Sequence, residues 1–82
     1  MIKSSDFSLA DLRSEILENA NSLGVQPSFS DNISKSVVEC VEKYLETHPL
    51  VTPTDLDLLV VRELKKFHPD LAYIYHNRDK II

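Results

Sequence analysis

The stretch Thr52-Pro53-Thr54-Asp55-Leu56-Asp57-Leu58-Leu59-Val60-Val61-Arg62-Glu63-Leu64-Lys65-Lys66-Phe67 decides how the chain is read. Leu56, Leu59, Val60, Leu64 and Phe67 recur at spacings of three and four, which is the period of one helix face and not of a strand. Thr52 or Thr54 can cap the start, and Pro53 is tolerated in the first turn because its missing N–H would be unpaired there anyway. Leu58 and Val61 extend the apolar surface almost around the helix. That breadth predicts a helix lying centrally in the fold; the other reading is a helix covered on a second side by a partner.

Three more helical stretches flank this one. Ser8 can cap a helix over 8–23 whose Leu9, Leu12, Ile16, Ala20 and Leu23 form a stripe, with Asp11 suited to the positive helix start. Gly24 stands where a left-handed C-terminal cap is expected, and Pro27 lies just beyond it. Ser30 or Asp31 opens a helix over 31–47 carrying Ile33, Val37, Cys40, Val41, Tyr44 and Leu45 on one side and Lys35, Glu39, Glu42, Lys43 and Glu46 on the other. Pro49 disfavours helical geometry at His48, so the run from Thr47 to Pro53 reads as an extended connection. Pro69 and Asp70 start a short last helix over 69–78 with Leu71, Ala72, Ile74 and Tyr75 as its apolar contacts.

Composition narrows the class. One glycine in 82 residues leaves few positions for tight hairpins or phosphate-binding loops. Nine Lys and Arg against 13 Asp and Glu give a net charge of −4, which disfavours nonspecific contact with nucleic acid or an anionic membrane. The single Cys40 has no partner for an intramolecular disulfide, which suits a reducing compartment and predicts a cytoplasmic location. Met1 to Leu12 lacks the apolar core of a signal peptide, and no stretch approaches the roughly 18 apolar residues of a membrane span.

Catalytic patterns were sought and not found. His48, His68, His76 and Cys40 show no zinc-ligand spacing; His48 and His68, each before a proline, read as solvent-exposed connection residues, and His76 reads as a helix-face residue. Cys40 lies on an apolar stripe, where a thiol packs as a small hydrophobe. Glu39, Glu42 and Glu46 are spaced as a solvated helix face. Arg62, Lys65, Lys66 and Arg78 are the candidate contacts for an anion or nucleotide, although cations near a helix C-terminus also serve simply to complement its dipole. Leu58, Val61, Ile81 and Ile82 are the candidate interface residues.

From Phe7 to Arg78 the order of helices resembles the ATP-cone, a small nucleotide-binding regulatory domain of ribonucleotide reductases and of their transcriptional repressor. Phe7, Ser8, Leu12 and Ile16 are similar to the start of the family's first helix. Val51-Thr52-Pro53-Thr54-Asp55-Leu56 with Val60 and Leu64 resembles its capped third helix, and Ala72 with Tyr75 resembles the start of its last. The positions that differ are those facing the ligand. Met1 to Asp6 stand where the family has a basic, glycine-containing hairpin, Asp11 where it tends to place a lysine, Asp57 where some members use a histidine, and Arg78-Asp79 in place of Tyr-Arg. The resemblance implies a helical scaffold kept without ordinary ATP recognition.

The sequence therefore predicts an all-α compact bundle of four helices in a single domain over 1–82, with 1–6 flexible or forming a short extended start. Its expected role is a non-catalytic regulatory or protein-interaction module with a protein partner or self-association, and without a membrane, nucleic acid or a resident cofactor. The alternative is a nucleotide-sensing domain that takes ATP or dATP.

Overall fold

Apolar residues four apart, separated by proline-containing corners, produce four helices that close into a compact all-α bundle. The computed structural model describes residues 2–77. Strand β1 (Ile2–Lys3) leads through a 3-10 turn (Ser4–Asp6) into helix α1 (Leu9–Ser22), followed by α2 (Pro27–Thr47), strand β2 (Leu50–Val51), α3 (Pro53–Phe67) and α4 (Pro69–His76). Helix α3 packs against α2 and α4, and α1 packs against α2 and α4, so the four form a closed ring of neighbours. No helix of the described residues is long and apolar enough to cross a membrane.

Each helix contributes a stripe at the four-residue spacing: Leu12, Ile16 and Ala20 from α1; Ile33, Val37, Val41 and Leu45 from α2; Leu56, Val60 and Leu64 from α3. Leu71, Ala72 and Tyr75 of α4 and Val51 of β2 complete the core. The extended connection after α2 is where β2 forms. It pairs antiparallel with β1, Ile2 opposite Val51 and Lys3 opposite Leu50, and the Ser4 N–H donates to the Pro49 carbonyl at 2.9 Å. This two-strand clasp ties the start of the chain beside the start of α3. Arg13 of α1 also forms an ion pair with Asp31 of α2; both side chains are about half exposed, so it adds little stability, about 0–1 kcal/mol.

The corners follow from local chemistry. The Ser8 hydroxyl accepts from the Asp11 N–H and the Thr52 hydroxyl from the Asp55 N–H, each at 3.1 Å. Gly24, at φ +77, closes α1 in a left-handed cap in which the Val25 N–H donates to the Ala20 carbonyl and the Gly24 N–H to that of Asn21.

Three expectations are corrected. Helix α2 begins at Pro27, one turn before Ser30. Proline presets the helical φ of its first residue, and Ser30, read as a helix start, is buried inside the helix with Ser34; their hydroxyls donate to the carbonyls of Pro27 and Asp31. Phe67 is 40% exposed at the end of α3 instead of lying on its inner stripe. His68 is half-buried and structural. Its N–H donates to the Leu64 carbonyl at 2.7 Å, ending α3, while its Nδ1 accepts from the Leu71 N–H at 3.2 Å, starting α4. That acceptor role places the ring proton on Nε2.

His68→Ala should therefore lower stability by about 1 kcal/mol, the usual value of a helix cap, and shift the thermal midpoint by roughly 4–8 °C. His68→Asp, which keeps a cap acceptor, should recover most of that. Thermal and urea unfolding of the two variants checks it; an alanine variant as stable as the parent refutes the capping role.

Candidate functional site

The side of α3 opposite Leu56, Val60 and Leu64 is not covered. Leu58 is 58% exposed and Val61 half-buried, so the expectation of a helix surrounded on all sides is not met for Leu58. Two shallow grooves run along this face and share Leu58, Val61 and Lys65. The first, about 420 Å³, lies between α2 and α3 and adds Tyr44, Asp55, Leu59 and Arg62. The second, about 300 Å³, lies between α3 and α4 and adds Ala72, Tyr73 and His76. Tyr73 is 71% exposed.

Tyr44 is held in place at the groove's edge. Its ring stacks on that of His48 with centroids 4.0 Å apart and planes 10° from parallel, and His48 Nδ1 lies 2.9 Å from the Tyr44 carbonyl oxygen and 2.9 Å from the Thr47 hydroxyl. His48 is exposed, as expected of a connection residue, and works as the lid on the last turn of α2.

A third cavity, about 440 Å³, lies on another side of the molecule among the N-terminal segment, α1, α3 and α4. Asp6, Asp11, Glu15 and Asp57 all line it, around an apolar floor that includes Leu12, Leu56, Val60 and Tyr75. Among the described residues no lysine or arginine lines it. Asp11 and Asp57, two of the positions at which the chain departs from the ATP-cone pattern, thus share one cleft. Asp6 and Glu15 join them through tertiary folding that spacing along the chain does not reveal. Asp6 and Asp11 bring negative charge to the cleft, which disfavours a phosphate group there by direct Coulomb interaction.

The cations expected to bind an anion divide into two sets. Arg62 and Lys65 line the α2–α3 groove together. Lys66 points to a different neighbour and donates to Glu63 at 3.1 Å. Arg78, Ile81 and Ile82 lie outside the described residues. Among the described residues no three His, Cys, Asp or Glu side chains converge to hold a metal ion.

Cys40 is half-buried on the side of α2 facing α3. Burial pushes its thiol pKa up, and the neighbouring Glu63 carboxylate pushes it further; Lys66 and Arg62 oppose the shift without reversing it. A thiol held protonated is a packing group and a poor nucleophile at neutral pH.

Comparison with known proteins assigns the chain to no family: no family model matches it, and neither a curated protein nor a solved structure does.

The Cys40 thiol is harder to ionise in the folded than in the unfolded chain. Its contribution to stability is therefore complete below the ordinary thiol pKa and lost as pH rises through the raised folded value. Thiolate absorbance against pH should give a higher midpoint for native than for unfolded protein, and Glu63→Gln should bring the native midpoint down. Equal midpoints in the native and unfolded chains contradict the burial of Cys40.

Proposed function

We propose that the chain is a non-catalytic protein-interaction module whose working surface is the outer face of α3 with its flanking tyrosines. The observation that carries this reading is Leu58, more than half exposed between two grooves on a helix whose opposite stripe already fills the core. Burying the remaining surface of such a leucine contributes about 1–2 kcal/mol, which a binding partner gains and the fold does not use. Tyr44 and Tyr73 support the reading because tyrosine supplies a large apolar body and a hydroxyl at little entropic cost, which is why it concentrates at interfaces. A reducing, cytoplasmic setting goes with one protonated, unpaired cysteine.

A nucleotide sensor is the competing reading, and it has one observation in its favour: Arg62 and Lys65 share a groove. The acidic cleft, the counterpart of the region where the ATP-cone resemblance would put the ligand, weighs against it.

Two measurements separate the readings. A photoreactive residue placed at Leu58 or Tyr73 should give discrete covalent adducts in the cells that make the protein, and one placed at Lys35, which lines neither groove, should not. Failure of both groove positions to give an adduct defeats the interaction reading. Titration with ATP and dATP, followed by amide NMR, should leave the resonances of Asp11, Arg62 and Lys65 in place. Saturable movement of Arg62 and Lys65 transfers the proposal to nucleotide binding.

A further inference from the structure

The order of charges along α3 names the partner. Asp55, Leu58, Val61, Arg62 and Lys65 follow one another at spacings of three, three, one and three, so they occupy one side of the helix. Asp55 stands in the first turn and Lys65 in the last. Ten residues of helix separate them, about 15 Å, which is too far for them to neutralise each other. Neither forms an ion pair with another described residue. The exposed surface is therefore acidic at one end, basic at the other and apolar in the middle.

Resting on the interaction reading, we propose that the occupant of this face is a second copy of the chain, packed α3 against α3 in antiparallel orientation about a two-fold axis level with Val60. In that arrangement Asp55 of each copy meets Lys65 of the other, and Leu58 lies against the aliphatic stem of the other copy's Arg62. Both ends are satisfied at once because a two-fold contact makes every pairing twice. The two helix dipoles also oppose each other.

Other occupants fit the same surface less well. An acidic peptide that pairs with Lys65 and Arg62 meets Asp55, and a basic one that pairs with Asp55 meets the two cations. A parallel pairing of two copies sets Asp55 beside Asp55 and Lys65 beside Lys65. The acidic cleft does not oppose the dimer, because it opens on another side of the molecule. Tyr44 and Tyr73 flank the contact at its two edges, where they exclude water from the ion pairs.

The test is charge complementation, read by sedimentation velocity over a dilution series of the full chain. The parent should pass from monomer to dimer with rising concentration. Asp55→Lys alone sets lysine against lysine at both ends, and Lys65→Asp alone sets carboxylate against carboxylate, so each should dimerise at least about tenfold more weakly. An equimolar mixture of the two variants restores an attractive pair at both ends and should dimerise within a few-fold of the parent. Circular dichroism confirms that each variant keeps its helices, and Leu58→Glu, in mid-helix and outside the core, should give a folded monomer. A strictly monomeric parent overturns the proposal, as does a mixture no better than its components. If the parent is monomeric while position 58 cross-links to another protein, the second copy is refuted and the interaction reading stands; without any adduct both are refuted.

Discussion

The burial of Leu56, Val60 and Leu64 against α2 and α4 is the contact on which the other elements depend. Helix α3 packs against both, and β2 immediately before it receives β1. Each of the three side chains is at most 3% exposed. Deleting any of them opens a cavity at the junction of three helices, a change that costs about 2–5 kcal/mol for leucine in a well-packed core. For a domain of 82 residues that is a large part of total stability, typically only about 5–15 kcal/mol.

Because that inner stripe must point to the core, the remaining residues of α3 have their directions assigned by the 100° step of the helix. Asp57 falls toward the cleft shared with Asp6, Asp11 and Glu15. Arg62 and Lys65 fall toward the opposite groove. One helix thus separates an acidic surface from a mixed one without any special motif. The groove carries Asp55 at one end and Lys65 at the other, a mixed pattern rather than one sign of charge.

The four helices and most of the core were legible in the sequence because the buried positions repeat every four residues and proline stands at the start of two helices, at Pro53 and Pro69; Pro27, read as lying beyond α1, starts a third. What could not be read was set by tertiary contact. Ser30 looks like a terminal residue by type, yet a serine that bonds to its own helix backbone can be buried, as Ser30 and Ser34 both are. His68 has no sequence signal that separates a cap from a solvated connection; only the geometry of the Leu71 N–H does so. The candidate residues Leu58, Val61, Arg62 and Lys65 were found from spacing and do come together, because they share one helix. Asp6 and Glu15 were missed as partners of Asp11 and Asp57 because their meeting requires the N-terminal segment to fold across the start of α3.

The shape of the molecule explains why the breadth of the apolar surface on α3 misled the expectation of a central helix. The body measures 35 × 30 × 19 Å, and a helix with its side chains is about 10–12 Å across, so the short dimension holds only two layers of helices. In two layers every helix has one face inward and one face toward solvent, and none can be surrounded. A third layer would be needed to cover Leu58, and the four helices of the described residues do not supply it. Apolar side chains placed all around a helix in such a body therefore divide into those that hold the domain together and those that the domain has no means to bury. Leu58 and its neighbours belong to the second group, and the second α3 proposed above would bury them while answering the charges at both ends.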